Sequence, residues 1–180
     1  MDNKLTLLLG GARSGKSTYA EQWAQQHGGR VLFVATAQAF DDEMRERIDA
    51  HRASRPGHWT TLEAPLNTGE HIRAGWAGHD TAVVDCMTLL ASNAMLALPD
   101  DASQEAVTAV VMAEAENLLA AFRQTGGQWL IVSNEVGMGV VPPTRMGRYY
   151  RDSLGRANQV LASAADEVLL FVAGLPWQLK

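Results

Sequence analysis

The run Gly10-Gly11-Ala12-Arg13-Ser14-Gly15-Lys16-Ser17 fits the pattern G-x-x-x-x-G-K-[ST] at every position. Residues of these types at this spacing bind phosphate. The glycines let the backbone wrap closely, so that several N–H groups converge on phosphate oxygens. Lys16 can reach the β- and γ-phosphates, and the Ser17 hydroxyl can ligate Mg²⁺. The flanking residues agree. Leu5–Leu9 is a short apolar stretch that reads as a buried strand, and Ser17–Ala24 is helix-prone. A helix starting there adds a partial positive charge at the loop. A chance glycine turn ahead of a helix would have to reproduce strand, loop and helix in order. The ligand indicated is a nucleoside triphosphate with Mg²⁺.

Asp85 closes the apolar run Thr81–Val84 and is the natural second magnesium group, since a phosphate loop pairs with an acid at the end of a later buried strand. The bland alternative is a cap for the following turn. Glu135 competes for the metal role and could equally position a nucleophile or a substrate hydroxyl. Asp41-Asp42-Glu43 open a helix and read first as caps, acids being favourable at that end. His51 has Arg47, Arg52 and Arg55 nearby in sequence. Those cations favour the neutral imidazole that can act as a nucleophile, while a helix C-terminus pushes the other way. A packed core histidine remains open for it, and His58, beside Trp59, is the competing candidate. His27 reads as a solvated partner of a helix C-terminus, and His71 and His79 as surface residues. Tyr149 and Tyr150 read as packing, and Arg148, Arg151 and Arg156 as a solvated face with at least one contact to an anionic group.

The elements that must position these residues alternate. Strands are expected over 5–9, 30–35, 59–63, 81–85, 129–133 and 167–172. Helices are expected over about 16–27, 42–54, 66–77, 88–98, 103–123 and 145–164, with Ser103 and Thr144 as caps. The 66–77 helix is weak because Gly69, Gly75 and Gly78 break it, and Gly174-Leu175-Pro176 turns into a short tail. This alternation gives a single α/β domain over residues 1–180, with a mostly parallel central sheet flanked by helices. Ligands of such sheets bind beyond the carboxyl ends of the strands. That edge carries Gly10–Ser17, Ala35-Thr36-Ala37, Asp85 and Asn134-Glu135.

Composition narrows the partners. The chain has 180 residues and a net charge of −5 without a Lys/Arg-rich run, which disfavours nucleic acid. Cys86 is the one cysteine, so neither a disulfide framework nor a cysteine zinc site is expected. The apolar runs are too short for a membrane span, and the first residues lack the form of a signal peptide. The expected setting is cytoplasmic.

Taken together, these stretches resemble the bifunctional adenosylcobinamide kinase / adenosylcobinamide-phosphate guanylyltransferases of cobalamin nucleotide-loop assembly. The phosphate loop alone is generic. The specific blocks are His51-Arg52-Ala53-Ser54-Arg55-Pro56 and Asn134-Glu135-Val136-Gly137-Met138-Gly139. They are supported by Asp41-Asp42-Glu43-Met44, Asp85-Cys86-Met87-Thr88 with Asn93, Arg151-Asp152, Gly155-Arg156 and Asn158-Gln159. The resemblance implies a RecA-like P-loop NTPase fold and a homotrimer. It implies two reactions: phosphoryl transfer from ATP or GTP to the aminopropanol hydroxyl of adenosylcobinamide, then GMP transfer from GTP through a guanylyl-histidine. It implies His51 as the nucleophile. The implied nucleotide contacts are Gly10, Gly11, Ala12, Arg13, Ser14, Gly15, Lys16, Ser17, Ala35, Thr36, Ala37, Arg52, Ala53, Ser54, Arg55, Glu63 and Asp85. Two other readings compete with it: a P-loop small-molecule kinase without guanylylation, and a non-catalytic nucleotide-switch module.

Overall fold

Side chains of the central strands alternate between two covered faces, which is why these strands are apolar at nearly every position rather than at every second one. The computed structural model describes residues 3–38, 46 and 55–180. In chain order it contains β1 (Lys4–Gly10), α1 (Lys16–His27), β2 (Val31–Ala35), β3 (Thr60–Glu63), α2 (Thr68–Gly75) and β4 (Thr81–Asp85). There follow α3 (Met87–Leu96), α4 (Gln104–Thr125), β5 (Gln128–Val132), α5 (Arg145–Ala164), β6 (Glu167–Val172) and β7 (Leu175–Gln178). The strands form one sheet in the order β3-β2-β4-β5-β1-β6-β7. All neighbours are parallel except β6 and β7. This is the expected α/β phosphate-loop architecture. The expected helix over about 42–54, with Asp41, Asp42, Glu43 and His51, lies outside the described residues apart from the helical Glu46.

One face of the sheet packs on α1. There Leu8, Phe33, Val83, Leu130, Val132 and Phe171 meet the small residues Ala20 and Ala24, which let the helix approach closely. The other face, with Leu5, Leu7, Leu32, Val34, Val84 and Ile131, is covered by Ile72, Met87, Leu90, Val111, Leu118, Leu154 and Leu161 of the remaining helices. Trp129 is fully buried there. Its indole N–H donates to Gly126 O at 3.1 Å, so the ring carries no orphaned donor into the core.

Capping follows the sequence in two places. Ser103 Oγ accepts from Ala106 N at 3.2 Å, and Thr144 Oγ1 accepts from Gly147 N at 3.1 Å. Two expectations need correction. The weak helix over 66–77 is the continuous α2, and Gly69 belongs inside it, because a Cβ there would strike the Asn117 backbone of α4. Its start is fixed from a distance: the Glu114 carboxylate accepts from Asn67 N at 2.6 Å and Thr68 N at 3.2 Å. The expected tail is instead β7. Ala173 (φ 52) and Gly174 (φ 84) make the tight turn that folds it antiparallel onto β6. Lys180 Nζ then donates to the carbonyls of Ala162, Ser163 and Ala165, which closes the C-terminus of α5.

Candidate active site

Register brings the edge residues into line. Glu63 pairs with Ala35, Ala35 with Asp85, and Asp85 with Val132, so one row crosses four strands at their carboxyl ends. The phosphate loop leaves β1 beside this row. Its turn uses Gly10 at φ 148 and Gly15 at φ 101. A Cβ on Gly10 would lie 2.5 Å from Phe171 O, so only glycine lets β1 turn away from β6 here.

Lys16 is 5% exposed. Its Nζ donates to Gly10 O at 3.0 Å, Gly11 O at 2.7 Å and Ser14 Oγ at 3.3 Å. The amine is thus held inside the curl of the loop. Burial holds its pKa below the usual lysine value, while the Asp85 carboxylate pulls it back up. A charged lysine beside an acid at the end of β4 is the electrostatic arrangement that a triphosphate and its metal require.

A cleft of about 400 Å³ brings together Ala12, Arg13, Lys16, Ser17, Ala35, Ala37, Arg55 and Asp85, all expected from sequence. Ser14 and Gly15 line an adjoining hollow with Arg13, Lys16, Ser17 and Thr18. The Arg55 guanidinium lies 3.6 Å from the centre of the Phe33 ring, which itself stacks on Trp59.

Other expected residues are placed differently. Thr36 is fully buried. Its Oγ1 donates to Cys86 O and accepts from Cys86 N, both at 2.8 Å, while Asn93 Nδ2 donates to its carbonyl at 2.7 Å. It therefore fastens the end of β2 to the end of β4. Glu63 is exposed at the end of β3 and does not line the cleft. His58 is exposed in the turn before β3 and is likewise outside the cleft. His51, Arg52, Ala53 and Ser54 lie outside the described residues. Glu135, the competitor for the metal role, lines a second cleft, and Asp85 shares the first with Ser17.

The sequence points to Thr88 only as part of the block Asp85–Thr88, with no role of its own, and not to Leu89; both line the first cleft. The Thr88 hydroxyl accepts from Asn134 N at 2.8 Å, and its carbonyl accepts from the Tyr150 phenol at 3.0 Å. Burial pushes the Tyr150 pKa up, so this donor stays protonated. Cys86 also lines the cleft. Burial, with a contribution from Asp85, raises its pKa to about 11, which keeps the thiol neutral and unreactive.

Comparison with known proteins adds the chemistry. The family model described as cobinamide kinase / cobinamide phosphate guanyltransferase matches residues 6–179. The chain is 39% identical to the bifunctional adenosylcobalamin biosynthesis protein CobU of Escherichia coli, over 98% of this chain and 99% of that protein. It is 40% identical to the protein of the same name from Salmonella typhimurium, with the same coverage. With the bifunctional adenosylcobalamin biosynthesis protein CobP of Pseudomonas aeruginosa it shares 43% identity, over 97% of this chain and 96% of that protein.

Proposed function

The chain belongs to the cobinamide kinase / cobinamide phosphate guanyltransferase family, and from that premise we propose the following course for its two reactions. In the first, the aminopropanol hydroxyl of adenosylcobinamide takes the γ-phosphoryl group of ATP or GTP. In the second, GTP is attacked at its α-phosphorus by His51, pyrophosphate leaves, and the GMP held on the imidazole passes to adenosylcobinamide phosphate. The product is adenosylcobinamide-GDP.

The observation that carries this reading is the meeting of Lys16, Ser17 and Asp85 on one cleft. Lys16 offers a fixed cation to the phosphates, and the loop amides supply further donors where charge builds up. Both reactions need that anchor, whichever phosphorus is attacked. Ser17 and Asp85 offer a hydroxyl and a carboxylate, a hard-oxygen pair suited to Mg²⁺ that shares its coordination with phosphate oxygens and water. Bound there, Mg²⁺ would neutralise charge on the phosphates and on departing pyrophosphate. Arg52, Ala53, Ser54, Arg55 and Glu63 are assigned to the guanine nucleotide, and Arg55 on the cleft wall supports this. Histidine attack divides nucleotidyl transfer into two displacements and stores GMP as a phosphoramidate. The chain acts as one catalytic domain and as a homotrimer in the cytoplasm. Among the described residues no helix is long and apolar enough to cross a membrane.

Incubation with α-labelled GTP and Mg²⁺ tests the covalent route. The expected result is label on the protein that survives base, is released by acid and is missing from His51→Ala. An unlabelled wild type would leave only a kinase that does not guanylylate.

A further inference from the structure

A second cleft, of about 520 Å³, opens beside the phosphate loop and is lined by Leu9, Glu135, Gly137, Arg151, Asp152, Gly155, Arg156, Asn158 and Gln159. It adjoins the nucleotide cleft, because Asn134 lines one and Glu135 the other. It is also coupled to the anchor: Glu135 N donates at 3.1 Å to Gly10 O, the same carbonyl that accepts from Lys16 Nζ. We infer that this cleft is the acceptor subsite. Glu135 takes the proton of the acceptor hydroxyl in the first reaction, and Arg151 and Arg156 hold the phosphate monoester in the second. The inference rests on the two-step reading given above.

The side chains suit that task. Gly137 N donates to Glu135 Oε1 at 2.6 Å, which holds the carboxylate of this cleft-lining residue. Arg151 is held by Asp152, whose Oδ1 accepts from Nε at 3.0 Å and from one terminal nitrogen at 2.9 Å. A guanidinium has five donors, so that pairing leaves capacity for a phosphate. Asn158 sets α5 against the loop: its Oδ1 accepts from Ser133 Oγ at 2.7 Å, and its Nδ2 donates to Asn134 O at 3.0 Å. Gly155 forms part of the wall, and a Cβ there would meet no heavy atom within 4 Å. A side chain at that position has open space to occupy at the cleft wall.

In the first step the hydroxyl oxygen forms a bond to the γ-phosphorus while the bond to the β–γ bridging oxygen breaks. The hydroxyl proton passes to the Glu135 carboxylate, and the nucleoside diphosphate leaves with the bonding electron pair. The product is a dianionic ester beside two arginines, placed to serve as the nucleophile of the second reaction.

Gly155→Leu tests occupancy. Leucine suits a helix better than glycine, so the variant folds. Kinase assays with cobinamide should show an acceptor KM raised about tenfold or more. Self-guanylylation by GTP, which needs no acceptor, should fall far less than the acceptor step. Arg156→Ala should raise the KM for the phosphorylated acceptor about tenfold in GMP transfer. Glu135→Gln should lower kinase kcat roughly 100-fold, with Glu135→Asp restoring part of it. A Gly155→Leu enzyme with wild-type acceptor KM would overturn the subsite. So would Glu135→Gln with wild-type kcat. A wild type that neither phosphorylates cobinamide nor labels itself would instead overturn the two-step reading.

Discussion

The Gly174 amide donates to the Ser14 carbonyl at 2.9 Å, so the turn between β6 and β7 braces the phosphate loop from the side opposite Asp85. Gly15 sits against the same turn, with φ 101 and a would-be Cβ 3.1 Å from Gly174 Cα. Gly15→Ala therefore meets both a disfavoured backbone and a backbone neighbour. We expect it to cost about 1–3 kcal/mol of stability. Calorimetric titration should show nucleotide affinity lowered about tenfold or more, since the misplaced amides point at phosphate. Wild-type melting and affinity would contradict the brace.

Lys16→Met removes the one buried cation of the loop. Self-guanylylation and cobinamide phosphorylation should each fall about 10²–10³-fold, the scale of losing a preorganised charge-stabilising donor. Measured side by side, the two losses test whether one anchor serves both reactions. Full guanylylation in this variant would mean separate sites.

Thr36→Val keeps shape but strands the Cys86 N–H, while the Cys86 carbonyl keeps the Leu90 amide as its donor. The expected cost is about 1–3 kcal/mol, or a fall in Tm of roughly 2–4 °C for each kcal/mol. Because the same link aligns the ends of β2 and β4, nucleotide binding should weaken as well. Differential scanning calorimetry and titration on the one variant check both effects.

Cys86 gives a pH dependence with a definite sign. Its thiol titrates near 9 when exposed and at about 11 in the fold, because of burial and then Asp85. Below about pH 9 the thiol is protonated in both folded and unfolded chains, and its contribution to stability is fully present. Between about pH 9 and 11 the unfolded chain releases the proton first, so stability falls as pH rises, by about 2–3 kcal/mol in total. Denaturant titrations across this range should show the decline in wild type and a flatter profile in Cys86→Ala. Equal slopes would show that the fold does not protect the thiol.

Much of this site could be read from the chain because its signals are local. The phosphate loop is eight consecutive residues, Gly10–Ser17, and Asp85 stands where an apolar run stops. What escaped were relations between distant residues. No local pattern in Asn67-Thr68 shows that Glu114 will cap them, and Gly69 looks like a helix breaker until Asn117 is seen against it. Thr36 resembles any loop threonine, yet its hydroxyl is committed to Cys86. The last hairpin escaped because Gly174-Leu175-Pro176 reads as a turn. An edge strand, however, tolerates a proline.

The Gly10 carbonyl accepts from two donors, Lys16 Nζ at 3.0 Å and Glu135 N at 3.1 Å. Movement of the Glu135 backbone alters how that oxygen holds the lysine, and movement of the lysine toward phosphate alters what Glu135 meets. The two clefts therefore share a coupling free energy. By reciprocity, the factor by which a bound acceptor changes nucleotide affinity equals the factor by which bound nucleotide changes acceptor affinity.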